Sequence, residues 1–291
     1  MTRMHEDELE IGHELVRSLL AGQFPEWAEL PLRRIEPSGT VNAIFRLGDE
    51  LSVRLPRRDG PTEPGSPELD WLPWLAPQVP FEIPVPVAQG RPGDGYPWFW
   101  EIHTWVEGET VPVEEIDAIQ AARGLAELVG ALQRLDPIGA PPPGRGVALA
   151  ERDSSFHYWL ERFDGDPRVV EEWERALAAP PWDGPPIWQH GDLDCRNWLV
   201  RDGRIGGVID WGAMGVGDPA CDVMVAWKLH SPAARDAFRE ALPTDDATWA
   251  RARGWAVSQA VAALAYYTPE NNPSLYHEAE TWLALVLSDG G

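Results

Sequence analysis

The residues His190-Gly191-Asp192-Leu193-Asp194-Cys195-Arg196-Asn197, followed thirteen positions later by Asp210-Trp211-Gly212, are the ones whose types and spacing could do chemistry. Moving a phosphoryl group requires neutralised charge on a polyphosphate and an acceptor hydroxyl held in line with it. A carboxylate such as Asp192 can take the hydroxyl proton. Asn197 and Asp210 offer one amide oxygen and one carboxylate. That is a suitable set for Mg²⁺, which prefers oxygen and takes few ligands from protein. Alone, an Asp or Asn in a loop is usually a turn former or a helix cap. Type, order and spacing together imply phosphoryl transfer.

These residues need elements to position them. The apolar run from Ile205 to Ile209 predicts a strand that ends at Asp210, and Asp202-Gly203 predicts the tight turn joining it to a strand after Asn197. Strand–loop–strand geometry would bring the three oxygen donors to one edge. Further out, residues 6–22 predict an opening helix from the spacing of Leu9, Leu15, Val16, Leu19 and Leu20. Short β-type runs follow at Leu32–Glu36, Ala43–Leu47, Leu51–Leu55, Ile83–Gln89 and Trp98–Val106, with a hairpin turn at Gly48-Asp49 and a short helix over Glu68–Leu75. The ring-rich Trp98-Phe99-Trp100 suits a core. Beyond Gly108 helical periodicity dominates. Residues 114–135 place Ile116, Ile119, Ala122, Leu125, Val129 and Leu132 on one face, and further helices are expected near 154–163, 167–178, 220–230, 232–241, 246–266 and 274–288.

Bulk properties exclude several classes. A chain of 291 residues suits two lobes. Its net charge of −23 opposes nucleic acid and anionic lipid and would attract cations. No apolar run approaches a membrane span, and the polar start of the chain has no apolar leader, so a cytoplasmic protein is expected. Cys195 and Cys221 form no CxxC pair, which argues against zinc or a disulfide framework. The chain has 24 basic residues, and Lys228 is its single lysine.

The catalytic-type segment fits the kinase pattern H-x-D-L-x-x-x-N, with Gly191 where protein kinases have Arg. Together with Ile209-Asp210-Trp211-Gly212 and Gly217-Asp218-Pro219-Ala220-Cys221-Asp222, it resembles the aminoglycoside phosphotransferase and choline kinase superfamily over about residues 30–285. The resemblance implies an α+β, two-lobed, protein-kinase-like fold. Residues 1–107 would form a β-rich nucleotide-binding N-lobe with an N-terminal helix, and residues 108–291 a mainly helical C-lobe with the catalytic loop and acceptor-binding helices. It implies a kinase moving the γ-phosphoryl of ATP or GTP, with Mg²⁺, to a hydroxyl of an aminoglycoside-like antibiotic or related cationic small molecule. Asp192 would be the base, Asn197 and Asp210 the metal ligands, and His190 and Asp222 supports of the loop. In the N-lobe, Ser38, Gly39, Thr40 and Asn42 resemble the superfamily's nucleotide loop. Arg54 falls at the usual lysine, Glu68 at its partner, and main-chain groups from Thr104 to Val106 at the hinge that binds the base.

On the acceptor side, the resemblance points to Asp194, Tyr266, Tyr267, Glu270 and Asn271. Asp194 stands where the family often has His, and reads either as a ligand for an acceptor amine or as a solvated loop residue. A macrolide, amino-alcohol or amino-sugar kinase is the alternative within the superfamily. Arg54 in place of lysine raises a different class: a catalytically silent pseudokinase serving as a binding module.

Overall fold

The computed structural model describes residues 9–35 and 41–288. The chain divides into two compact units, Met1–Pro77 with Glu82–Glu107, and Gln78–Phe81 with Gly108–Gly291.

The first unit is an antiparallel five-stranded sheet under one helix. Strands β1 (Leu32–Arg34), β2 (Asn42–Leu47), β3 (Leu51–Pro56), β4 (Pro86–Gly90) and β5 (Trp100–Thr104) lie in the order β1-β2-β3-β5-β4. Period-two alternation sends Ala43, Phe45 and Leu47 of β2 into the core, where they meet Val53, Leu55, Trp100 and Ile102. Helix α1 (His13–Gln23) covers this face with Val16, Leu19 and Leu20. The same alternation turns Arg54 to the opposite face of β3. Helix α2 (Pro67–Leu75) opens on Ser66, whose Oγ accepts from Leu69 N at 3.1 Å, with Pro67 at its first position.

The second unit is mainly helical. Its helices are α3 (Ala118–Gln133), α4 (Asp153–Leu160), α5 (Arg168–Leu177), α6 (Ala220–Val223), α7 (Pro232–Ala241), α8 (Asp246–Tyr266) and α9 (Pro273–Ser288). Two antiparallel ladders carry the chemistry-bearing loops: β6 (Ile187–Gln189) with β9 (Gly215–Gly217), and β7 (Trp198–Arg201) with β8 (Arg204–Val208). The turn between β7 and β8 puts both Asp202 (φ 53°) and Gly203 (φ 75°) in the left-handed region that a two-residue hairpin demands. Along α8, Trp255, Ala256, Val257, Ala260 and Val261 are fully buried. Among the described residues no helix is long and apolar enough to cross a membrane.

Three expectations need correction. The opening helix starts at His13, because Gly12 is extended and the main chain at Leu9 bonds to Arg57 O instead. Helix α3 starts at Ala118, where the Asp117 carboxylate accepts from Ile119 N and Gln120 N. Ile116 therefore precedes the helix, and Ile119 is 42% exposed. The expected helix over 220–230 is only one α-turn, continued by a 3₁₀ turn over Met224–Trp227. Lys228 caps that turn.

Candidate active site

The catalytic loop leaves β6 at His190 and returns to β7 at Trp198. Its entry is held by one buried carboxylate. Asp222 Oδ2 accepts from His190 N at 2.7 Å, and Oδ1 accepts from Gly191 N at 2.8 Å. Burial pushes the Asp222 carboxyl above its ordinary range, although both amide donors pull the other way. Gly191 sits at φ 81°, and a Cβ there would come within 2.4 Å of Ala213 O, so this bend requires glycine. The fully buried His190 ring bridges two segments. Its Nδ1 accepts from Asp192 N at 3.1 Å, which leaves Nε2–H to donate to Ile209 O at 3.1 Å. One imidazole therefore ties the main chain of Asp192 to the residue before Asp210.

Asn197 closes the loop. Its Nδ2 donates to Asp192 O at 2.9 Å, its main-chain N donates to Asp194 O at 2.9 Å, and its O accepts from Ile209 N at 2.9 Å. These bonds orient the side-chain amide and leave Oδ1 available. Asp210 follows Ile209 directly, at φ 63°, exposed and with no side-chain partner among the described residues. A non-glycine residue in the left-handed region is a conformational cost of the kind found at functional sites. Asp192, Asn197 and Asp210 are thus drawn to one edge by main-chain bonds. The available amide oxygen and the unpaired carboxylate fit Mg²⁺.

Asp192 is one-fifth exposed and has a partner that the sequence reading missed. Arg145 donates Nη1 to Asp192 Oδ1. It lies in the Pro/Gly-rich loop before α4, which has no periodic signal, and the main chain of that loop docks through Gly144 N to Ala213 O at 3.2 Å.

Asp194 is neither solvated nor open to an acceptor amine. It is buried, with Lys228 Nζ 2.9 Å from Oδ2 and Arg196 Nε 2.7 Å from Oδ1. Burial alone would raise this carboxyl, but Lys228 and Arg196 outweigh it and hold the group well below the usual range. Asp194, Cys195 and Glu278 stand close enough to suggest a metal cluster. Two cations already occupy Asp194, and burial pushes the Cys195 thiol up, so the cluster does not suit a metal ion.

The Gly217-Asp218-Pro219 turn is braced by a second buried carboxylate. Asp218 accepts from Ala220 N at 3.0 Å and from Arg251 Nε and Nη2 at 2.8 and 3.1 Å. Arg251 also donates to Pro180 O and Thr248 Oγ1. The first of these is the local bond of a turn and cap residue, and the ion pair to Arg251 reaches across the fold.

In the first unit, Arg54 Nη1 lies 2.8 Å from Glu68 Oε1, so the structure brings this expected pair together. Glu101, opposite Arg54 on β5, is held by His103 Nε2 at 2.6 Å and by Ser66 Oγ at 2.7 Å. Asn42 opens β2. Ser38, Gly39 and Thr40 lie outside the described residues. At the expected hinge, Thr104 N donates to Val85 O and Trp105 N to Glu50 O, whereas the Val106 N–H has no partner among the described residues.

The expected acceptor residues cluster at the end of α8. Tyr266 is half exposed, edge-on to Trp159 at 6.0 Å and to Tyr267 at 4.9 Å. Asn271 Oδ1 accepts from Thr268 N at 2.7 Å and Thr268 Oγ1 accepts from Glu270 N at 3.3 Å, so both residues build the turn after the helix.

The comparisons with known proteins agree with this architecture. The Bacillus subtilis (strain 168) uncharacterized protein YcbJ is 24% identical over 191 residues, 60% of this chain and 61% of that protein, so the match spans less than two thirds of the relative. The GDP complex of wild-type aminoglycoside 2'-phosphotransferase-IIIa superposes with a TM-score of 0.71 at 16% identity, covering 96% of this chain and all (100%) of that one. The apoenzyme of macrolide 2'-phosphotransferase MphH from Brachybacterium faecium gives 0.59 at 23% identity, covering 92% and 97%. These likenesses show a kinase-like α+β phosphotransferase fold. The model of the phosphotransferase enzyme family matches residues 32–255, most of the chain, and the protein belongs to that family.

Proposed function

We propose that this phosphotransferase moves the γ-phosphoryl group of ATP or GTP to a hydroxyl of an aminoglycoside-like antibiotic or a related cationic small molecule. The observation that carries the reading is the fixed spacing of Asp192, Asn197 and Asp210, set by His190 and by the Asn197–Ile209 bond. Asp192 takes the proton of the acceptor hydroxyl. The freed oxygen bonds to the γ-phosphorus as the bond to the β-phosphate oxygen breaks, releasing nucleoside diphosphate. Asn197 and Asp210 would hold Mg²⁺, which would supply charge neutralisation on the triphosphate. Arg54, secured by Glu68, serves the phosphates in place of lysine, with Asn42 and the Ser38-Gly39-Thr40 segment. Val106 offers its N–H to the base. His190 and Asp222 hold the loop. Tyr266, Tyr267, Glu270 and Asn271 meet the acceptor.

A specific observation favours a second acceptor class. Asp194 is neutralised, and Arg145 places a guanidinium on Asp192 itself. Positive charge beside the base suits an acceptor with few cationic groups, such as a macrolide.

The test is Mg²⁺-dependent nucleotide turnover on an acceptor panel of aminoglycosides, macrolides and amino alcohols, run with wild type and Asp192→Ala. Turnover stimulated by aminoglycosides and lost in the variant is expected. Stimulation by macrolides alone selects the second reading. Nucleotide binding with no turnover on any acceptor would overturn both and identify a binding module.

A further inference from the structure

The single lysine of this chain is kept at a buried position, Lys228. Its ammonium meets three elements at once. Nζ lies 2.9 Å from Asp194 Oδ2 in the catalytic loop, 2.8 Å from Gln259 Oε1 on α8, and 5.2 Å from the centre of the Trp282 ring on α9. A compact ammonium with three rotatable donors can serve such divergent directions, whereas a planar guanidinium presents its donors in one fork. Every other basic residue is arginine, so the exception falls where that difference in shape matters.

The carboxylate it holds is part of the site. Asp194 lies between Asp192 and Asn197, its main-chain O accepts from Asn197 N at 2.9 Å, and its Oδ1 accepts from Arg196 N at 3.3 Å. Lys228 follows the 3₁₀ turn that continues α6, and α6 carries Asp222. The segment from Asp222 to Lys228 therefore grips the loop twice, at the amides of His190 and Gly191 and at the Asp194 carboxylate. A buried ion pair costs desolvation that packed apolar side chains would avoid, so stability alone does not account for keeping it.

We infer that Lys228 is a positioning residue for phosphoryl transfer: its ammonium pins Asp194 and so fixes Asp192 relative to Asn197. The roles of Asp192 and Asn197 are those of the proposed function, on which the inference rests.

The test compares the full-length wild type with Lys228→Arg, Lys228→Met and the double variant Asp194→Asn/Lys228→Met. Two readouts are used: amide hydrogen exchange and hydrolysis of MgATP or MgGTP. In Lys228→Arg, peptides spanning 190–197 are expected to exchange at least about tenfold faster, with those of α3 unchanged. The kcat is expected to fall by about ten- to a hundredfold, with nucleotide KM within about threefold. The double variant, freed of the buried pair but leaving the partly exposed Arg196 without its carboxylate, regains part of the thermal midpoint lost in Lys228→Met but not the kcat. If Lys228→Met does not fold, Lys228→Arg and the double variant still decide. Wild-type loop exchange in Lys228→Arg overturns the inference. So does faster exchange everywhere in the unit, faster loop exchange with unchanged kcat, or a double variant with wild-type kcat. If the wild type turns over no nucleotide, the proposed function fails and loop exchange alone decides this inference.

Discussion

The catalytic loop of the second unit and the Arg54 network of the first both rest on carboxylates, but they use them differently. In the loop, Asp222 is buried and accepts from main-chain amides, so it fixes the path of the backbone. Around Arg54, the side chains of Glu68 and Glu101 are 15% and 14% exposed, and their bonds run to other side chains. A backbone held by buried acceptors has one conformation, whereas a cation held through side chains by a slightly exposed carboxylate can adjust on a rotamer scale. The difference teaches that this chain fixes the main chain around Asp192, Asn197 and Asp210, the proposed base and metal ligands, rigidly and leaves its strand-borne cation adjustable. Substitutions in the loop should therefore be costly, and those around Arg54 graded.

The largest effect is expected at Asp192, the proposed base. Asp192→Asn keeps the shape of the side chain and removes its capacity to take a proton. Turnover should fall by about 10²–10⁴, with a thermal midpoint near that of wild type, as read by coupled nucleotide assay and calorimetry. Residual turnover within tenfold of wild type would remove Asp192 from the role of base.

Next comes the brace under the loop. Arg251→Ala leaves Asp218 buried without its ion partner, and Asp218→Ala strands the guanidinium. Each should cost about 3–5 kcal/mol in denaturant unfolding. The two losses should be far from additive, because either one breaks the same pair. Asp222→Asn should cost about 1–3 kcal/mol, because the amide NH₂ must face either His190 N–H or Gly191 N–H, leaving a buried donor unpaired. A neutral result would show that the loop is less rigidly held than the contrast with the Arg54 network requires.

How much of this contrast was legible in the sequence depended on distance along the chain. Asp192, Asn197 and Asp210 could be found because their spacing is local and the β7–β8 hairpin that unites them has its own turn signal in Asp202-Gly203. The Arg54–Glu68 pair, fourteen positions apart, was suggested by family resemblance and is met in the structure. Arg145 was invisible: its partner lies 47 positions away, and its loop has no periodicity to orient a side chain. Asp194 was misjudged for the same reason. A loop aspartate reads as solvated until Lys228, 34 positions on, is folded against it. Asp218 shows the same split, since its cap bond is local and Arg251 lies 33 positions on. Helix α3 was placed by its periodicity, yet its start belonged to the Asp117 cap and not to the apolar pattern, which is why Ile119 lies outside the core.

In the first unit, Glu101 gives the contrast a pH axis. Burial would raise its carboxyl, but hydrogen bonds from His103 and Ser66 hold it below the ordinary value. A carboxylate lower in the folded than in the unfolded chain contributes stability at pH above its unfolded value, and that contribution is lost as pH falls through the folded one. Glu101→Gln should therefore be less stable than wild type near neutrality, by about 1–3 kcal/mol for the charge-assisted bonds, and the gap should close on acidification below the ordinary carboxylate range. Unfolding curves of both proteins across acid and neutral pH measure this. A gap that widens toward acid would reverse the assigned sign.

The smallest effect is expected at Arg54, and it bears most directly on adjustability. Arg54→Lys keeps the charge and can keep the bond to Glu68, because an ammonium needs only one donor for a single carboxylate oxygen. It gives up the planar fork that can meet two phosphate oxygens together. On a rigid scaffold that loss would be felt in full. On an adjustable one, the flexible lysine finds a comparable position, and nucleotide KM should shift by no more than about fivefold, near 1 kcal/mol, with kcat and thermal midpoint nearly unchanged. Arg54→Met, which leaves Glu68 without this cation, provides the upper bound for the same site. If Lys is as damaging as Met, Arg54 is held as tightly as the catalytic loop, and the contrast between the two regions disappears.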